Sequence, residues 1–141
     1  SRTVTARNKA AEAGQNMTSL FFAAADRTQQ DAAVATAENK VADAESRFAV
    51  AEKLYELCTA ESTDRARWRA FLRHIDGLRE RALSAWNNVE GDSLFAEAKD
   101  RIARGTAARK DGNDGEALRE YAAAAFAYEK ICWIAELTKK K

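Results

Sequence analysis

Six arginines crowd the middle of this chain: Arg65, Arg67, Arg69, Arg73, Arg79 and Arg81 face only Asp64, Asp76 and Glu80 over the same stretch. A basic run of this kind is a candidate surface for an anionic partner such as phosphate or an acidic peptide. Arg69 and Arg73 stand one helical turn apart and are the first pair to test by mutation. The favoured alternative is a solvated helix face whose arginine stems cover apolar neighbours. His74 is the only histidine. General acid–base work would require a partner that orients it. Asp76, two residues on, turns to a different helical face, so His74 reads as a partly exposed helix residue. Tyr121, Tyr128 and Trp133 have the side chains that anchor interfaces. Tyr121 and Tyr128 are one heptad apart and fit a core stripe, whereas Trp133 falls off that stripe and is the candidate contact with a partner or another subunit. The candidate binding residues are therefore Arg69, Arg73 and Trp133, and no catalytic residue is assigned.

Cys58 and Cys132 are the two cysteines, too few for a disulfide framework. Each falls near the end of a helical pattern. They read as half-buried thiols, with a bridge between two helix ends as the alternative. Zinc would need more ligands than two cysteines and one histidine supply. Neither metal nor cofactor is expected. Asn16-Met17-Thr18 fits a glycosylation triplet, but Met17 lies on an apolar stripe and the match reads as background.

The elements that position these residues are helices. The chain has 141 residues and no proline, where an average chain carries about 5%. Alanine, at 32 positions, costs no side-chain entropy in a helix and lets helices approach closely. The length suits a single all-α domain, residues 1–141. With 23 basic against 22 acidic residues, nucleic acid is not an expected partner. No apolar run approaches the roughly 20 residues of a membrane span, so no membrane insertion is expected. A start at Ser1 rather than Met reads as a processed chain or a piece of a larger protein.

The strongest pattern is the central helix, residues 64–89, on which Trp68, Phe71, Leu72, Ile75, Leu78, Ala82, Trp86 and Val89 recur at steps of three and four. Before it, a frayed start to about Arg7 leads into one long helix to about Ala37, with a stripe of Met17, Leu20, Phe21 and Ala24. Gly14 or Asp31 could interrupt that helix. Asn39 marks the next turn, because asparagine tolerates the left-handed conformation. A helix over about 41–60 follows, striped by Val41, Ala44, Phe48, Ala51, Leu54, Tyr55 and Cys58. Ser62, Thr63 or Asp64 caps the central helix. Beyond Gly91, Asp92 or Ser93 caps a helix over about 94–110 with Leu94, Phe95, Ala98, Ile102 and Gly105 inward. Gly112 closes it, Asn113-Asp114-Gly115 makes a tight turn, and the last helix runs over about 116–137.

Residues 20–58 slide onto 93–131 without a gap. Phe22 meets Phe95, Phe48 meets Tyr121, Tyr55 meets Tyr128, and Asn39 falls on Gly112. The expected architecture is about five antiparallel helices: two similar hairpins, residues 8–60 and 92–138, joined by the central helix.

Gly105, Gly112, Ala117, Leu118, Tyr121 and Ala124 give residues 105–124 a pattern that resembles part of a tetratricopeptide repeat. Arg101 stands where that repeat usually has tryptophan, and its period of about 34 residues is absent. The chain also looks like MIT helical bundles. Through Leu94-Phe95-Ala96-Glu97-Ala98, followed by a glycine turn and Ala-x-x-x-Tyr, it is similar to alanine-rich helical hairpins of large bacterial proteins. These resemblances imply a TPR-like array or helical bundle without catalytic activity, which binds a protein or peptide or spaces neighbouring domains. The alternatives are an alanine-rich bundle of a surface or envelope protein, and a bundle with an internal small-ligand pocket.

Overall fold

A helix begins where a side chain satisfies its first free N–H groups, and that rule places the first departure from the sequence reading. The structure, a computed structural model, describes residues 2–12, 19–86 and 92–139. Ser19 is extended (φ −65°, ψ 142°), and its Oγ accepts the Phe21 N–H, at 3.1 Å. The single long helix expected to reach Ala37 is therefore two: α1 (Arg2–Glu12) and α2 (Leu20–Ala37). α1 starts inside the stretch expected to fray, and α2 runs through Asp31 unbroken. The expectations on Gly14, Met17 and the glycosylation triplet fall outside the described residues, as do those on Val89 and Gly91.

Four more helices follow: α3 (Val41–Ala60), α4 (Asp64–Ala85), α5 (Ser93–Lys110) and α6 (Asp114–Lys139). Every regular element among the described residues is thus an α-helix, and six are seen where five were expected. The chain divides into two compact units, Ser1–Arg73 and His74–Lys141, with the division inside α4.

In the N-terminal unit α3 packs against α2 and α1. The α2–α3 turn closes with Asn39 N–H donating to Thr36 O at 3.0 Å and Lys40 N–H to Ala35 O at 2.9 Å. This is the paired bonding of a Schellman cap, and Asn39 takes the left-handed conformation it needs, φ 60°. Phe21, Phe22, Val50, Leu54, Tyr55 and Leu57 are buried, and each fully buried apolar side chain contributes about 1.5–3 kcal/mol. Phe22 meets Tyr55 edge-on at 5.5 Å. Phe21 meets Trp68 at 5.2 Å and Phe71 at 6.3 Å, which docks the first half of α4 over the start of α2. Thr63 caps that helix: its Oγ1 accepts the Ala66 N–H at 3.2 Å.

The C-terminal unit is built on the same plan. Leu20 and Ala37 bound α2 where Ser93 and Lys110 bound α5, and Val41 opens α3 where Asp114 opens α6; each pair is 73 residues apart. Asp92 caps α5 from the position matching Ser19, accepting the Leu94 N–H at 2.8 Å. Gly112, φ 81°, matches Asn39, and Asn113 N–H donates to Ala108 O at 2.9 Å as Lys40 does to Ala35. Phe95 packs on Tyr128 at 5.7 Å as Phe22 does on Tyr55. The second half of α4 reaches α5 through Arg79 over the Phe95 ring, 5.8 Å to its centre. It reaches α6 through Arg81 and Glu129, 4.0 Å apart.

Several stripe residues sit further out than their spacing predicts. Val41 is 58% exposed because it is the first residue of α3, before the helix meets its neighbours. Phe48, Leu72, Trp86, Leu94 and Ile102 are half-buried. Asn113-Asp114-Gly115 is no tight turn: Gly112 makes the reversal and α6 has already begun at Asp114. Gly105 lies where α5 meets α6, and a Cβ there would stand 3.0 Å from the Tyr121 ring.

The left-handed caps give a direct test. Replacing Gly112 by Ala should cost about 1–2 kcal/mol, because an L side chain is strained at that φ. Replacing it by Asn, the residue already used at the matching turn, should cost clearly less. Urea unfolding of the two variants checks this, and equal losses would show that the left-handed cap does not limit stability.

Candidate functional site

α4 sorts its arginines by the faces its neighbours cover. Arg67 is buried, contrary to the solvated face expected of it. Its Nη1 donates to Asp64 Oδ1 at 2.6 Å and to Ser19 Oγ at 3.3 Å, and its Nη2 donates to the Glu61 carbonyl at 2.7 Å. The Ser19 hydroxyl donates to the same Asp64 oxygen at 2.7 Å. Docking of Trp68 on Phe21 turns its neighbour inward, and one carboxylate and one carbonyl offset the cost of burying that cation. Arg79 and Arg81 are engaged within the C-terminal unit. Arg65, Arg69 and Arg73 are exposed at steps of four along the first half of α4, so they share one side of that helix.

Trp133 is half-buried on α6. It belongs to the C-terminal unit, while Arg69 and Arg73 belong to the N-terminal one. Tyr121 and Tyr128 are core residues, as their heptad spacing predicts. His74 is half-buried and Asp76 exposed. Among the described residues no group of three or more His, Cys, Asp or Glu side chains is placed to hold a metal ion.

One polar cluster escaped the sequence reading. In the N-terminal unit the Tyr55 hydroxyl bonds to Asp26 Oδ1 and, at 2.8 Å, to Gln29 Oε1. Arg7 Nε donates to the same Asp26 oxygen at 3.1 Å, and its guanidinium lies 5.3 Å from the centre of the Phe22 ring. Burial, reinforced by the Asp26 carboxylate, pushes the Tyr55 hydroxyl well above its ordinary range. A tyrosine so raised stays protonated and is a poor general base, so the cluster clasps α1, α2 and α3 together. Its sequence signal was faint, because Arg7, Asp26 and Tyr55 lie on three helices. The matching tyrosine of the second unit is different. Residues 73 on from Asp26 and Gln29 are Lys99 and Ile102, and the buried Tyr128 hydroxyl has no hydrogen-bond partner among the described residues.

Both thiols are free and buried. Burial pushes Cys58 up to about 11, against the pull of Arg67, and raises Cys132 for the same reason. Neither is poised as a nucleophile, since the thiolate is the reactive form. An open groove of about 640 Å³ runs between α1 and α3. Thr5, Ala6, Thr59 and Ala60 line it. Arg2 and Lys9 edge it on the α1 side and Glu52 and Glu56 on the α3 side, with Arg2 and Glu52 paired at 3.3 Å.

No family model, curated protein or solved structure matches this chain. No helix among the described residues is long and apolar enough to cross a membrane. What the arrangement offers is surface: a basic row on α4, a groove with one basic and one acidic edge, and a half-buried tryptophan on α6.

Two outcomes follow. Tyr55→Phe should destabilise the protein by about 1–2 kcal/mol, since it leaves hydrogen-bonding partners unsatisfied. Tyr128→Phe should be neutral or stabilising, because it deletes a buried hydroxyl that bonds to nothing; urea titrations of both variants decide it. The thiols give the second outcome. Neither should react with a disulfide reagent at pH 8 until the chain is unfolded. The folded Cys58 value exceeds the ordinary value of 9.0, so its stabilising share is whole below pH 9 and is lost as pH rises through about 11. The thermal midpoint should fall across that window, and Cys58→Ala should flatten the fall.

Proposed function

We propose that this chain is a non-enzymatic helical-repeat module, TPR-like in plan, that binds a protein or peptide partner as part of a larger protein. The observation that carries this reading is the contrast between a repeated frame and a varied surface. Helix starts, the α2 and α5 ends, their N-caps, left-handed turns and phenylalanine–tyrosine pairs recur 73 residues apart. The residues at the hairpin ends do not recur: Ala60 gives way to Trp133 and Glu61 to Ile134. In proteins assembled from repeats the frame supplies stability and the varied faces supply recognition. The polar groups buried in the N-terminal unit fit the same reading, since the Arg67 and Tyr55 clusters both hold helices together. Arg69 and Arg73 would meet acidic groups of the partner, and Trp133 would supply an aromatic anchor of the kind that dominates interface energetics. Burial leaves Cys58 and Cys132 with little thiolate, so neither is offered as a nucleophile.

Panning a peptide display library against the full chain tests the proposal, with ester, amide and phosphate substrates assayed in parallel. Enriched peptides should bind with micromolar Kd, and Arg69→Glu or Trp133→Ala should weaken some of them without moving the thermal midpoint. Turnover of a substrate together with no enriched peptide would overturn it.

A further inference from the structure

We propose that the groove between α1 and α3 is a docking site for one tryptophan side chain of a protein partner, with an acidic residue beside that tryptophan in the partner's sequence. The inference rests on the reading of the chain as a repeat-built binding module and specifies where it binds and through which groups.

The correspondence between the two units extends to α1. Its buried residues are Thr3, Ala6 and Ala10. Ile75, Leu78 and Ala82, each 72 residues on, are the buried residues that match them on the second half of α4. Arg7 lies over the Phe22 ring at 5.3 Å as Arg79 lies over the Phe95 ring at 5.8 Å. The offset is one less than the 73 of the other helices because the stretch from Ala82 to the Asp92 cap is one residue longer than that from Ala10 to the Ser19 cap. The place that matches the α1–α3 groove is therefore the cleft between the second half of α4 and α6.

The two places are filled differently. Ala6 and Ala60 line the groove, and the residues that match them are Leu78 and Trp133. Glu56, Thr59 and Ala60 are exposed, whereas Glu129 and Trp133 are half-buried and Cys132 is buried. Arg81 and Glu129 meet at 4.0 Å across the second cleft, and Trp133 stands one turn beyond Glu129 on the same side of α6. Their counterparts in the first unit, Lys9 and Glu56, lie on opposite edges of the groove, and neither enters an ion pair among the described residues. The first unit thus keeps open about 640 Å³ at the place where the second carries a leucine and a tryptophan.

An indole suits that space. Its flat apolar body fits a recess lined by alanines and threonines, and its N–H needs an acceptor once covered. Glu56 on the α3 edge is placed to be that acceptor, and Lys9 on the α1 edge to meet the partner's acidic side chain. A tryptophan seated in a pocket inside a polar rim is the kind of residue that carries much of an interface's binding energy.

The probe is the peptide acetyl-Ala-Glu-Trp-Glu-Ala-amide, titrated into the ¹⁵N-labelled full chain. Saturable shifts at Ala6, Thr59 and Ala60 are expected, with Kd of about 0.1–1 mM. Leucine in place of the peptide's tryptophan should weaken binding about tenfold or more, and glutamines in place of its glutamates about threefold or more. Ala60→Trp, which copies the second unit's residue into the first, should abolish binding with the thermal midpoint unchanged or raised. Lys9→Glu, an exposed change that leaves the fold intact, should weaken the glutamate peptide about threefold or more and leave the glutamine peptide unaffected. Absence of saturable shifts would overturn the proposal, as would shifts away from the groove, equal binding of the leucine peptide, or binding that survives both substitutions. N-acetyltryptophanamide binding as tightly as the peptide would assign the groove to a small aromatic ligand. The same shifts on concentrating the free protein would assign it to a second copy, and either result overturns the proposal. Failure here alongside enriched peptides in the library screen would remove this groove and leave the binding-module reading in place.

Discussion

Each hairpin is held by a phenylalanine at the head of one helix meeting a tyrosine on the next, and this contact sets the demands on everything around it. Rings whose centres lie 5.5 and 5.7 Å apart require backbones that come close on either side of them. Alanine and glycine supply that approach: Ala25, Ala32 and Ala51 are fully buried in one unit, and Ala98, Ala117 and Ala124 in the other. A reversal tight enough to keep the pair in register then requires the left-handed residue, which Asn39 and Gly112 provide.

The two units solve the same packing problem with different polar chemistry. In the first, Asp31 on α2 faces Arg47 on α3 at 4.0 Å. In the second, Arg101 on α5 faces Glu120 on α6 at 3.2 Å. Residues 47 and 120 are matching positions of opposite charge, while their partners are not matched, since Arg101 corresponds to Thr28 and Asp31 to Arg104; an ion pair spans each hairpin from a different place on its first helix. Glu120 is the more deeply covered of the two carboxylates, and two guanidinium contacts at 3.2 and 3.4 Å offset its desolvation. The tyrosines differ in the opposite sense, with Tyr55 satisfied and Tyr128 not. A frame specified by ring packing and small residues tolerates such exchanges because neither kind of polar contact sets the helix spacing.

Much of the fold was legible because its signals are local. The absence of proline, the abundance of alanine and the three-four spacing through Trp68, Phe71, Ile75 and Leu78 name helices directly. Asn39 and Gly112 mark turns by their backbone chemistry. The shift that superposes Tyr55 on Tyr128 also brings the helix starts, and the ends of α2 and α5, into correspondence. Ser19 was missed because one serine in an alanine-rich stretch reads as well inside a helix as before one; only the Phe21 N–H and Asp64 that it meets distinguish the two. The buried state of Arg67 was illegible for a related reason. Spacing says which side of α4 it occupies, but not that the end of α3 and the start of α2 cover that side. The candidate binding residues were legible as surface types, and nothing in their spacing said that they would divide between two units.

Arg67 shows how a costly interaction settles a structural ambiguity. Residues 61–64 offered three possible caps within one short loop, and apolar packing alone tolerates a helix that starts one residue early or late. A shift by one residue would rotate Trp68 by about 100° away from Phe21. The guanidinium resists that slip because its partners are in different places along the chain: the Glu61 carbonyl at the end of α3, Ser19 at the cap of α2, and Asp64 in the first turn of α4 itself. All of them are reached together only when α4 starts where it does. Desolvating the cation is expensive, and a well-packed apolar residue could match or exceed its net contribution to stability. What the apolar residue would not supply is the directional bonding that fixes register, and register decides whether the tryptophan covers the head of α2.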